Sequence, residues 1–123
     1  LEAVTGRPWH EAVAAMLQPL GVPGIRWGGD PRPVPGMADG YGAGPGGELR
    51  RAGMISMTQP HAAGALLGTV DGLWRWSRAL HDGRVLKPET YRRMVTPEGA
   101  AAQANYGLGL VAGRVRDEAA LLH

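Results

Sequence analysis

The chain has 123 residues, enough for one ordinary domain with a single hydrophobic core. Thirteen basic against eleven acidic residues give a formal charge of +2, and the arginines fall in scattered pairs rather than in the dense, aromatic-interleaved stripe of a nucleic-acid face. Cysteine is absent, which excludes a disulfide scaffold, a thiolate metal site and a cysteine nucleophile. No apolar run approaches the roughly 18 residues of a membrane span. Twenty Gly and ten Pro would hint at low complexity, but a 44% hydrophobic content and clear helical periods argue for a folded chain.

Residues 1–5 read as the last turn of a helix, with Gly6 as the left-handed residue past its end. They lack both an initiating Met and the layout of a signal peptide, so a piece of a longer protein is expected. Pro8 suits the start of a second helix. Trp9, Val13, Met16, Leu17 and Leu20 then share one helical face until Pro19 and Gly21 stop it. Residues 22–47 hold five prolines and much of the glycine, so regular structure is not expected to persist there. Tyr41 reads as an aromatic plug for that loop.

Thr69 is a suitable N-cap and Asp71 a favourable first-turn charge for a third helix. Its stripe is read as Val70, Leu73, Trp74, Ser77, Leu80 and His81, with Trp76 off the stripe and Gly83 as terminator. Pro88 and Glu89 start a fourth helix whose buried edge is Tyr91, Met94 and Val95, ending before Pro97. After residue 105 the period changes. Tyr106, Leu108 and Leu110 alternate with small residues, and a turn near Gly113 would return residues 119–122 as an antiparallel partner.

Four segments resemble, in order, parts of the serine β-lactamase and penicillin-binding-protein superfamily. They are residues 1–22 (LEAVTGRPWHEAVAAMLQPLGV), the Met37-Ala38-Asp39-Gly40-Tyr41 piece, residues 62–86 (AAGALLGTVDGLWRWSRALHDGRVL) and residues 105–110 (NYGLGL). The branch they resemble is that of class C β-lactamases, DD-peptidases and esterases. The implied fold class is mainly α with a short antiparallel β-hairpin, part of a β-lactamase/transpeptidase-like fold. Residues 1–104 would form the helical and loop region and residues 105–123 the start of the returning sheet.

The resemblance implies a serine hydrolase acting on amide, β-lactam or ester bonds of a small-molecule or peptidoglycan-like substrate, with no cofactor. Its members are often periplasmic or secreted, and no targeting signal is visible here. The chemistry needs a serine activated by a lysine one helical turn later. The two serines, Ser56 and Ser77, are instead followed three places on by Gln59 and Leu80. The single lysine, Lys87, has no serine at position 84, and none of the three tyrosines starts a Tyr-x-Asn motif. The chain alone is therefore expected to be inactive, with the motifs upstream. A binding or interaction module on the same scaffold is the alternative.

By family position, Gln59, His61 and Gly64 fall at the rim of the substrate cleft, and Tyr41 in a loop that flanks it. His123 is read either as the histidine of a His-x-Gly motif or as an ordinary terminal residue. Residues 42–47 satisfy Gly-x-Gly-x-x-Gly, yet Pro45 lies inside and no strand-to-helix pattern surrounds it. His10 and His81 read as helix-surface residues, and no metal-ligand spacing links the histidines. A helix that has lost its packing partner leaves apolar surface around Trp9, Trp74 or Trp76, so self-association into a homo-oligomer is expected.

Overall fold

The structure is a computed structural model that describes residues 1–29, 34–53 and 55–122. Pro31 and Pro33 of the irregular stretch, and His123, lie outside the described residues. The chain divides into two compact units, residues 1–74 and 75–123.

In the first unit, helix α1 (Glu2–Thr5) ends at Gly6, whose left-handed φ of 65° is the expected stop. Helix α2 (Trp9–Leu17) starts after Pro8 and runs into a tighter turn, Gln18–Leu20, closed by Gly21 at φ 62°. The Glu2 carboxylate accepts a 2.9 Å hydrogen bond from the Trp9 amide, so α1 caps the N-terminus of α2 where orphan donors would otherwise need water. Trp9, Leu17, Val22 and Ala65 make the buried core of this unit.

The Gly/Pro-rich region departs from expectation. It carries strand β1 (Arg26–Trp27) and strand β2 (Tyr41–Ala43), followed by β3 (Leu49–Arg51) and β4 (Leu66–Leu67). Strand β1 pairs antiparallel with β4, placing Trp27 opposite Leu66, and β2 pairs with β3, placing Tyr41 opposite Arg51. Both pairs extend past their ends, through Gly28 N–H to Ala65 O and Thr69 N–H to Gly24 O in the first, and Ala52 N–H to Gly40 O in the second. Prolines exclude long strands, but two- and three-residue pieces fit between them when a partner strand supplies the ladder.

Helix α3 (Val70–His81) begins as expected: Thr69 Oγ1 accepts a 3.0 Å hydrogen bond from Gly72 N–H. Its packing differs from the expected stripe. Gly72, Ala79 and Leu80 are buried and Trp76 is half-buried, whereas Val70, Leu73 and Trp74 point to solvent. The inward side is set by Gly72, which lies against the Pro23 carbonyl and Ile25. No larger residue fits there without a shift, so Gly72 sets which side of the helix start faces residues 23–25.

In the second unit, Lys87 precedes helix α4 (Pro88–Val95), and a 3₁₀ turn, Gly99–Ala104, leads to a hairpin of β5 (Val111–Val115) and β6 (Glu118–Leu122). The hairpin was expected a few residues earlier. Residues 106–110 form a turn instead, in which Gly107 N–H donates to Leu110 O and Leu108 N–H donates to Met94 O. The reversal falls at Arg116 and Asp117, not Gly113; both have positive φ, 47° and 65°, and Val115 pairs with Glu118 across them. This is the two-residue loop whose twist matches a hairpin, formed without the usual glycine. The described residues therefore hold helices and three short antiparallel pairs where a single hairpin was expected.

Candidate functional site

Gln59, His61 and Gly64 fall on one compact turn. Gln59 N–H donates to Ser56 O at 3.0 Å, Ala63 N–H to Pro60 O at 3.0 Å and Ala65 N–H to His61 O at 3.2 Å. His61 opens the 3₁₀ turn His61–Ala63 with φ 48°, in the left-handed region that few non-glycine residues enter, histidine, asparagine and aspartate more often than the rest. Its ring sits 5.6 Å from the ring of Trp9, which is only 6% exposed.

Trp9 is one of four aromatic rings gathered there. His10 meets Trp9 edge-on at 5.8 Å and stacks on Trp27 at 4.0 Å with the planes 9° apart. His10 is thus half-buried and stacked, not the surface residue the helical pattern implied. Its partner Trp27 comes from β1, and no local pattern could announce the pair. Glu2, Pro8, Thr58 and His61 close a cavity of about 210 Å³ around these rings.

Tyr41 stands apart from that turn. It is 58% exposed on β2, and among the described residues no ring contact joins it to the 59–64 turn. Asp39 and Arg51 form an ion pair at 2.5 Å beside it. A hollow of about 540 Å³ opens next to this pair, lined largely by apolar and glycine residues such as Met37, Ala52, Gly53 and Met57, with Asp39 and Ser56 as its polar side chains.

Acyl transfer needs a nucleophile within reach of a base. The Ser56 hydroxyl lies 2.7 Å from the Thr58 hydroxyl, a pairing that supplies no base. Ser77 is half-buried within α3, and Lys87 is exposed at the start of α4. In the second unit His81 Nδ1 and the Tyr91 hydroxyl share a 2.6 Å hydrogen bond that ties the end of α3 to α4. Among the described residues no group of three or more His, Asp or Glu side chains is placed to hold a metal ion.

No protein-family model and no curated protein sequence matches the chain. Solved structures do match it. A D-stereospecific amidohydrolase from a Streptomyces species is 25% identical, with a TM-score of 0.77 over 94% of this chain and 36% of that one. D-amino acid amidase from Ochrobactrum anthropi SV3 matches at 23% identity over 99% of this chain. Its D-phenylalanine complex gives a TM-score of 0.81 over 39% of that chain, and its L-phenylalanine amide complex 0.79 over 38%. These proteins belong to the penicillin-binding-protein and β-lactamase superfamily. The chain has a β-lactamase-like fold over part of that fold's extent, and spans well under half the length of the proteins it matches.

Proposed function

We propose that this chain is one wall of the substrate cleft in a β-lactamase-like amide hydrolase, with the nucleophile carried elsewhere. The observation that supports it is the likeness of nearly the whole chain to two amide-cleaving enzymes of one fold, at TM-scores of 0.77 to 0.81. In such an enzyme a serine attacks the amide carbonyl, the amine leaves, and water hydrolyses the acyl-enzyme. The wall's task is to orient the amide, which lowers the barrier without any group here reacting. Gln59 and His61 on their braced turn would touch the substrate at the rim, with Tyr41 on a flanking loop. An amide of a D-amino acid is the substrate class that the matched enzymes favour for the whole protein.

The test has two arms. The purified 123-residue chain, given D-phenylalanine amide, a chromogenic β-lactam or a p-nitrophenyl ester, should turn over none of them. A polypeptide of the same gene that includes a Ser-x-x-Lys motif should release ammonia from the amide and lose that activity when the serine is replaced. Turnover by the 123-residue chain that a serine acylating agent abolishes would refute the proposal. A gene without the motif would favour the binding-module alternative.

A further inference from the structure

The rings of Trp9, His10 and His61 enclose space instead of closing on one another. Trp9 stands at 87° to His10 and at 50° to His61, and the three wall the cavity of about 210 Å³ in the first unit. His10 is held in that wall from behind. One of its faces lies flat on Trp27 at 4.0 Å, and Trp27 backs onto Gly29, where there is no room for a Cβ. The walls are therefore preformed, and a guest does not have to order them.

The chemistry of the lining selects the guest. No lysine or arginine is among the described residues that line the cavity, so with the imidazoles neutral Glu2 supplies its only formal charge. One Glu2 oxygen accepts the Trp9 amide. Among the described residues no ion pair uses that carboxylate, and no hydrogen bond uses a ring nitrogen of His10 or His61. An anion would meet a carboxylate and the negative faces of the rings. A metal ion is not provided for, since no group of three or more His, Asp or Glu side chains is placed to hold one among the described residues. A primary ammonium fits on both counts. Its N–H groups need acceptors, which the second Glu2 oxygen and the imidazole nitrogens are, and its charge is attracted to an indole face within about 6 Å. The volume limits what the ammonium carries: it equals about seven waters at roughly 30 Å³ each, below the roughly 300 Å³ of a drug-sized site.

We propose that the cavity walled by Trp9, His10 and His61 binds a small primary alkylammonium ion, with Glu2 as its counter-charge. The site needs no nucleophile, so it stands apart from the proposed hydrolase reading.

The experiment is an NMR titration of the isotope-labelled 123-residue chain with n-propylammonium chloride at constant ionic strength. At about pH 8 ordinary imidazoles are neutral and the alkylammonium is charged. The signals read are the Trp9 indole N–H and the ring C–H groups of His10 and His61, with Trp74 and Trp76 on α3 as references and n-propanol as the neutral twin of the ligand. The expected result is a saturable shift of the three cavity residues with a dissociation constant in the millimolar range, and no such shift with propanol. Glu2→Gln keeps a side-chain oxygen for the Trp9 amide but removes the charge, and should weaken binding several-fold. The proposal is overturned by the lack of a saturable shift, or by propanol moving the same signals equally, which marks a merely apolar void. Equal shifts at Trp74 and Trp76, or a Glu2→Gln chain that binds as tightly as the parent, overturn it as well.

Discussion

Gly72→Ala should destabilise the first unit, although alanine is the better helix former. In an exposed helix interior the exchange is favourable by about 1 kcal/mol, because glycine loses more backbone freedom on folding. At position 72 an added Cβ would lie 2.3 Å from the Pro23 carbonyl oxygen, 3.1 Å from Thr69 Oγ1 and 3.2 Å from Ile25 Cγ1. The nearest obstacle is backbone and has no rotamer to escape into, so α3 must withdraw by about 1 Å to restore ordinary contact. That movement strains the Thr69 N–H bond to Gly24 O, already 3.2 Å long, and the loss of one such bond costs about 0.5–1.5 kcal/mol. Overpacking of this kind costs about 1–3 kcal/mol, which outweighs the propensity gain. The expected net loss is about 1–2 kcal/mol, or a fall in melting temperature of roughly 5–15 °C for a unit of this size, read by far-ultraviolet circular dichroism. A variant as stable as the parent chain, or more so, would refute the close approach of α3 to residues 23–25.

Two further substitutions probe the helix start and the turn at residues 59–64. Thr69→Ala removes the side-chain acceptor of the Gly72 amide and should cost about 1 kcal/mol, while Thr69→Ser keeps the oxygen and should cost much less; hydrogen exchange at the Gly72 amide reads the difference directly. His61→Val forces a β-branched residue into the left-handed conformation and should lose about 1–2 kcal/mol in a urea titration, more than His61→Asn, since asparagine tolerates that conformation.

Features encoded within a few residues were legible in the sequence. Gly6 and Gly21 end α1 and the turn after α2, Thr69 caps α3, and Pro88 opens α4, each through chemistry confined to one helical turn. Features that need a distant partner were not. Strands β1 and β4 are too short to show a period, and each is a strand only because the other supplies its hydrogen bonds. The orientation of α3 was misread because apolar residues occupy both sides. The choice of inward side depends on Gly72 meeting Pro23, and a contact with another element leaves no trace in the helical pattern. The Arg116-Asp117 reversal escaped notice because neither residue is the glycine or asparagine that announces a left-handed turn.

In the proposed hydrolase the turn at residues 59–64 would fix one side of the cleft without taking part in the chemistry. Ala65 is buried at the foot of the turn, and its amide closes the turn by donating to His61 O. Trp9 packs beneath the His61 ring, and Trp9 is itself fixed by burial and by its amide's bond to Glu2. Two hydrogen-bonded turns in succession, with their base held by α2, leave little freedom to the backbone of residues 59–64, while Gln59 and the outer edge of His61 remain open to solvent. Left-handed backbone at a non-glycine residue persists only where its surroundings over-determine it, and here a buried indole and a closed turn do so. In the proposed hydrolase this rigidity is what the wall contributes. A rim that does not have to be ordered when substrate arrives spends none of the binding energy on itself, so more of it remains to hold the amide against the nucleophile.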